Sequence, residues 1–531
     1  SSMSSSSKKT TVQDMFQGAR DAFEQMISNL SGAGLTQATE SEVETQTAKQ
    51  GTDLLRLLIQ GHLDLRTARE QLELIPVLKE RGDAVRCRLR ALETRFGRVS
   101  FSRAGVIDSG AAKGTPARFP LDEELNVPPE LYSHPLRRCA AEEVRKASFD
   151  EGVEALDRST GGHVPKRQIE QLTERAAQDF EVFYEQKKAQ EPEDSAALLL
   201  LSADAGGVRV RKDALRDATR KAAEKEANQN AQTPGKGDPM APKKLRNHDK
   251  RMATVTLVAD QARHVRTPEE IIANIDGSAK EKAAAEPKAE LKPAKAPKPT
   301  HKTLLPSLVK PAKEAIEDMF DEADRRDPDK VRETVVLVDG QEQQKAAIRD
   351  QGKQRARTFT LIVDFIHILH YLWIAAKALR SSAFQWLWVA YYASKLLRCK
   401  TDRDVSRIAA GITRCATNSK LAGKALASVR KCTRYLLANK AHLHYATYLA
   451  LGYPIATGAI EGAIRYLLRD RMDITGASWG LPCGEAVLRL RALHSNDDFD
   501  EYWEFHLRQE KLRHFPASPA NDNACCAAVA A

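Results

Sequence analysis

The chain has 531 residues, 42% hydrophobic and 29% charged, which excludes a disordered chain and allows two to four buried cores. Its 82 lysines and arginines against 72 acids give a net charge of +10, which suits a polyanionic partner. The eight cysteines form no Cys-x-x-Cys or Cys/His cluster of zinc spacing, and the most apolar stretch, Phe359 to Leu379, carries Asp364, His367 and His370, so a zinc module and a transmembrane span are both disfavoured and a soluble, cytoplasmic protein is expected.

Ser1 to Lys9 reads as a polar leader with no apolar signal core after it. From about Thr11 to Leu74 apolar residues recur at helical spacing, as in Leu54, Leu55, Leu57, Leu58 and Ile59. Thr94 to Arg103 alternates like a strand, so residues 11–127 are expected to be a helical module with a small β element. Between Pro128 and Tyr184 the helical pattern returns. Ser148 is placed to cap a helix running through Leu156, Gly161-Gly162 breaks it, and Lys166-Arg167 opens a second helix. That order makes residues 128–190 a helix-turn-helix-like DNA-binding candidate with Lys166 and Arg167 at the start of the reading helix; the same spacing also fits two helices of an ordinary bundle.

Beyond Ser195 strands alternate with helices, which predicts an α/β core over 195–363. Strands are expected at Ala197 to Asp204, Val208 to Arg211, Ala253 to Val258, Thr334 to Val338 and Thr358 to Val363, with helices at Ala312 to Arg325 and Gln341 to Gln351. The polar segment 228–244 and the Lys/Ala/Pro-rich segment 277–300 read as an excursion and a flexible tether inside that core. Residues 364–451 have helical periodicity throughout, an all-helical insertion before the helix that carries Glu461. Residues 452–515 complete the chain with that helix and C-terminal helices, and 516–531 read as a disordered tail. The fold class expected is multidomain α+β.

Asp204 and Asp339 each end an apolar run, and the ends of buried strands are where loops gather and ligands bind in open α/β sheets. With Glu461 they make a set of hard oxygen ligands suited to a pair of Mg²⁺ ions. Each has a plainer reading. Asp204 is also a hairpin-turn aspartate, Asp339-Gly340 a favoured turn dipeptide, and Glu461 an exposed partner of Arg465 on a helix capped by Thr457. Arg465, Arg469 and Arg471 concentrate cations that can contact phosphates. Asp364 and His367, spaced Asp-x-x-His, fit either a polar pair beside a metal or a buried Asp–His hydrogen bond.

These residues together resemble a DDE transposase of a bacterial insertion sequence, in the Mutator-like group whose catalytic domain has the ribonuclease H fold. The resemblance covers most of the chain. It rests on Pro454-Ile455-Ala456-Thr457-Gly458-Ala459-Ile460-Glu461-Gly462, Arg469-Asp470-Arg471-Met472-Asp473, Thr475-Gly476-Ala477-x-Trp479, and the stretches 485–493 and 498–503. It implies that Asp204, Asp339 and Glu461 are the three catalytic acids holding two Mg²⁺ or Mn²⁺ ions, with Asp364-x-x-His367 as an auxiliary motif. Asp364 competes for the second position; Asp339 is preferred because the ribonuclease H order puts that acid on the fourth strand, before a helix. The implied activity is nicking at the element's ends and attack of the freed 3′-hydroxyl on target DNA, by a homo-oligomer that binds terminal inverted repeats of double-stranded DNA near the nucleoid. Ala205 stands where the family usually has glycine after the first acid. Two rival readings are a ribonuclease H-like nuclease without strand transfer and a non-catalytic DNA-binding protein derived from a transposase. Alanine at 204, 339 or 461 leaves activity intact only in the last.

Overall fold

The computed structural model describes residues 12–32, 34–35, 37–188, 197–231, 249–276, 297–474 and 476–516. The expected leader, most of the 228–244 and 277–300 segments, Thr475 and the tail beyond residue 516 lie outside the described residues. The chain divides into two compact units, residues 1–186 with 498–531, and residues 187–497.

In the first unit the helix Glu40–Arg69 opens with a capping box in which Thr39 and Glu42 each accept the other's backbone amide. It lies on a hairpin of β1 (Ala84–Thr94) and β2 (Gly97–Ile107), paired in antiparallel register from Ala84↔Ile107 to Thr94↔Gly97. Leu63, Leu92, Val99, Phe101, Leu121 and Val127 form the core between them. The single strand expected at 94–103 is therefore the hairpin turn and the first part of β2. Its alternating side chains were legible, and the less patterned, largely exposed β1 was not.

Helices His134–Val144, Phe149–Ser159, Lys166–Ala176 and Phe180–Gln186 follow, and the final helix Phe499–His514 packs back on them, Tyr502 Oη donating to the Ala176 carbonyl at 2.7 Å. Ser148 caps its helix as expected, its amide donating to Glu151 at 2.8 Å in a second capping box. The Gly161-Gly162 break has a packing cause. A Cβ on Gly161 would stand 2.6 Å from the Phe96 carbonyl oxygen, so the break fits against the hairpin tip.

The second unit is built on a five-stranded sheet of order β5-β4-β3-β6-β7, with β3 at Leu198–Arg209, β4 at Lys250–Gln261, β5 at Thr300–Ser307, β6 at Thr334–Val338 and β7 at Thr360–Val363. Strands β3, β4 and β5 are antiparallel, whereas β6 and β7 run parallel to β3. This mixed order is the ribonuclease H-like architecture. Leu198 to Leu201, Val335 to Val338, Ile362 and Val363 are buried together with Ile316, Met319, Phe320 and Ile348 from the helices Ala312–Arg326 and Glu342–Gln354. Burial of β3, β6 and β7 on both faces explains why they read as continuous apolar runs.

Two features differ from the sequence expectation. Strand β3 runs unbroken through Asp204 and Gly206-Gly207, because β4 pairs with it along its whole length, Leu198↔Gln261 to Arg209↔Lys250. Strand β5 was not foreseen. Its apolar content is only Leu304 and Leu305 around a Pro306, a residue tolerated there because β5 is the sheet edge.

After β7 the helices Phe365–Leu379, Ser382–Leu397, Asp402–Asn418 and Gly423–Asn439 form the all-helical insertion, and their buried residues continue the core of the sheet. The short helix Gly458–Ile464 bears Glu461. Helix Leu481–Ser495 then packs on β5, where buried Glu485 accepts from the Ser307 hydroxyl at 2.9 Å and the Leu308 amide at 2.6 Å. No helix among the described residues is long and apolar enough to cross a membrane.

Candidate metal centre

The register of the sheet lines up three aspartates. The last β3–β6 pair is Ser202↔Leu337, so Asp204 stands level with Asp339, two residues further along each strand. The last β6–β7 pair is Val338↔Val363, so Asp364 is level with Asp339 in turn. Parallel neighbours in register share a face and lie about 4.8 Å apart, so Asp204 within β3 and Asp339 and Asp364 just past the ends of β6 and β7 form one row.

Each acid is held differently. Asp339 is half-buried; its carboxylate accepts from the Gln341 amide at 3.1 Å and the Gln341 side chain at 2.9 Å. Its carbonyl accepts from the Tyr435 hydroxyl, and Tyr435 stacks on Tyr371 with ring centroids 3.9 Å apart. Gly340 follows with φ +88°, and a Cβ there would stand 2.7 Å from the Tyr435 hydroxyl, so backbone conformation and packing both demand glycine. Asp364 is fully buried at 0% exposure. One of its oxygens caps the Phe365–Leu379 helix through the Ile366 amide at 2.7 Å, and the other accepts from the Thr457 hydroxyl.

Thr457 was expected to cap the Glu461 helix. It occupies the N-cap position without a side-chain capping bond, because its hydroxyl is spent on Asp364. That bond ties the Glu461 helix to the end of β7, and Phe365 N donating to the Ile455 carbonyl at 2.9 Å ties the preceding segment to the same place. Gly206 supplies the other contact. It sits two residues past Asp204 on the same face of β3, and a Cβ there would meet Leu468 at 2.5 Å and Ile464 at 3.5 Å, so only glycine lets the Glu461 segment lie so close to the strand. Ala205, which follows Asp204, is exposed and leaves the strand continuous.

The resulting electrostatics are those of crowded anions. Burial raises the Asp204 carboxyl above its usual range, the Ala205 amide opposes this, and the charges of Asp339 and Glu461 raise it further while His367 lowers it. Burial likewise raises Asp364, with Glu461 adding and the Thr457 bond opposing. Among the described residues no lysine or arginine pairs with Asp204, Asp339, Asp364 or Glu461; Arg465 lies 3.7 Å from Asp470 instead. Converging carboxylates without a cationic side chain are a donor set that fits a bound divalent ion.

The ligand atoms of Asp364, His367 and Glu461 all lie within 4.8 Å of one another, which makes this cluster able to hold a metal ion. Among the described residues no other such group of three occurs, so the expected set of Asp204, Asp339 and Glu461 is not gathered so tightly. Asp-x-x-His thus brings its histidine into a cluster able to hold a metal, and among the described residues no hydrogen bond joins it to Asp364. His370, three residues on, is exposed and outside the cluster.

The remaining expected residues are scattered. Arg465 and Arg469 are exposed on a π-helical turn that continues the Glu461 helix, where the chain departs from α geometry as it does at many functional sites. Arg471 is buried with its guanidinium 4.8 Å above the Trp479 ring, a packing role that withdraws it from phosphate. Lys166 and Arg167 are exposed in the first unit, Lys166 paired with Asp150 at 2.7 Å. Tyr371, Tyr435 and Thr457's bond to Asp364 were not foreseen, since partners so distant in sequence leave no spacing signal; Gln341, only two residues from Asp339, was not foreseen either.

The chain matches no protein-family model and no curated protein sequence. What is established is an α/β unit of ribonuclease H-like architecture carrying a carboxylate and imidazole cluster suited to a divalent metal.

Proposed function

We propose that this protein is a DDE transposase, a metal-dependent enzyme that cleaves DNA at the ends of its element and transfers the freed strand to a target. The observation that carries the reading is the level register of Asp204, Asp339 and Asp364 across β3, β6 and β7, with Glu461 electrostatically coupled to that row from a helix tied down by Thr457. In this reading Asp204, Asp339 and Glu461 hold two Mg²⁺ or Mn²⁺ ions, with His367 and Asp364 at the Glu461 side. Two such ions, when bound, activate the attacking oxygen and stabilise the leaving one in an in-line displacement at phosphorus.

The protein's own contribution is to position. Gln341 orients the Asp339 carboxylate, Tyr435 fixes its backbone, and Asp364 anchors the Glu461 helix through Thr457. Arg465 and Arg469 would steer the strand, Lys166 and Arg167 would read the terminal repeats, and two DNA ends call for a homo-oligomer. Cleavage of DNA carrying the element's own ends, with Mg²⁺, tests this. Asp339→Ala is expected to lose cutting by at least about two orders of magnitude while still binding DNA. Cutting retained in Asp339→Ala and abolished in Asp364→Ala would reassign the second acid; cutting without joining would leave a nuclease.

A further inference from the structure

The charge of this protein is concentrated in one place. Residues 365–460 contain fourteen lysines and arginines and only two acids, Asp402 and Asp404, a formal +12 with His neutral. The whole chain carries +10, so everything outside residues 365–460 sums to −2. All fourteen cations are exposed. Among the described residues only Arg398, Arg407 and Lys440 have a carboxylate partner.

Four of the unpaired cations lie on the helix Gly423–Asn439, which buries Val429, Cys432, Thr433, Leu436 and Asn439 on its inner side. Lys424 and Lys431 are seven residues apart, Lys431 and Arg434 three, Arg430 and Arg434 four, so all four share the outer half of the helix. The strip leads to the acids. Lys431 sits 5.5 Å above the Tyr371 ring, Tyr371 stacks on Tyr435, and Tyr435 donates to the carbonyl of Asp339. Like charges held together on an exposed face without counter-ions create a positive potential that attracts a polyanion.

We propose that the helical insertion is a sequence-independent clamp for the nucleic-acid backbone, in which Lys424, Arg430, Lys431 and Arg434 hold successive phosphates and deliver the strand to Asp339. This deepens the proposed function and rests on it for the identity of the substrate, but binding is separable from cutting. The test is the salt dependence of full-length protein binding to a duplex of arbitrary sequence, without divalent metal. Replacing the four cations by glutamine should make the slope of log K against log salt shallower by ~0.9 for each phosphate no longer neutralised, thus by about 3 to 4 units. A control with Lys225, Lys302, Lys313 and Lys353 changed to glutamine removes the same charge elsewhere in the unit and should leave the slope within about one unit of wild type. Exchanging each lysine for arginine and each arginine for lysine should restore wild-type binding, which excludes a folding defect. An unchanged slope in the glutamine variant, or an equal flattening in the control, overturns the clamp. Strip-dependent binding in a protein that never cuts DNA would support the clamp and sink the transposase reading alone.

Discussion

Thr457 joins the most buried acid of the cluster to the helix of the most exposed one. Thr457→Val keeps the shape and deletes the donor, leaving one Asp364 oxygen buried without its bond. Metal affinity is expected to fall ~10–100-fold, the usual cost of losing an outer hydrogen bond that orients a ligand, and Mn²⁺ titration calorimetry measures it. Asp204 carries a pH prediction. Its carboxyl is raised above the unfolded value, chiefly by burial, so the charged form is disfavoured in the native protein. Below the unfolded value both states hold the proton and nothing is lost; as pH rises through the raised native value the folded state bears a buried charge and stability declines. Asp204→Asn should therefore raise the melting temperature of the metal-free protein at neutral pH, with the gain shrinking as pH falls toward 3.8. Thermal melts across pH check this, and a gain that grows on acidification would contradict it.

At the scale of elements, the packing of the Glu461 helix on β3 depends on Gly206. Gly206→Val drives a branched side chain into buried Leu468 and Ile464 and should cost about 1–3 kcal/mol by overpacking. Cleavage should suffer more than stability, because the displaced segment carries Glu461; denaturant melts beside the cleavage assay separate the two. A variant that melts lower yet cuts normally would show that this approach does not set the site.

What was legible follows from the same packing. Strands β3, β6 and β7 announced themselves as apolar runs because both faces are covered, and the helical insertion by its periodicity. Edge strand β5 did not, since one edge is unpaired and its apolar pattern is short. Asp204 looked like a strand end because Gly206-Gly207 resembles a turn; the pairing with β4 shows that the strand continues through both, and Gly206 makes room for the segment after Glu461. Asp339 and Glu461 were singled out from local context. The engagement of Asp364 by Thr457 and of Asp339 by Tyr435 spans about ninety residues or more and arises only from the fold.

In the whole molecule a sheet aligns acids, a helix adds Glu461 and an insertion carries the positive charge. The central claim is that Asp204, Asp339 and Glu461, from three separate elements, serve one metal centre. Thermal unfolding of the full chain with and without Mn²⁺ tests that most directly, since an ion bound only by the folded state at 100 times its dissociation constant adds about 2.7 kcal/mol. The expected result is a clear Mn²⁺-dependent rise in melting temperature for the wild type that is lost or sharply reduced in Asp204→Asn, Asp339→Asn and Glu461→Gln alike. A full rise in the two aspartate variants, with loss only in Glu461→Gln, would contradict the claim and confine the metal to Asp364, His367 and Glu461.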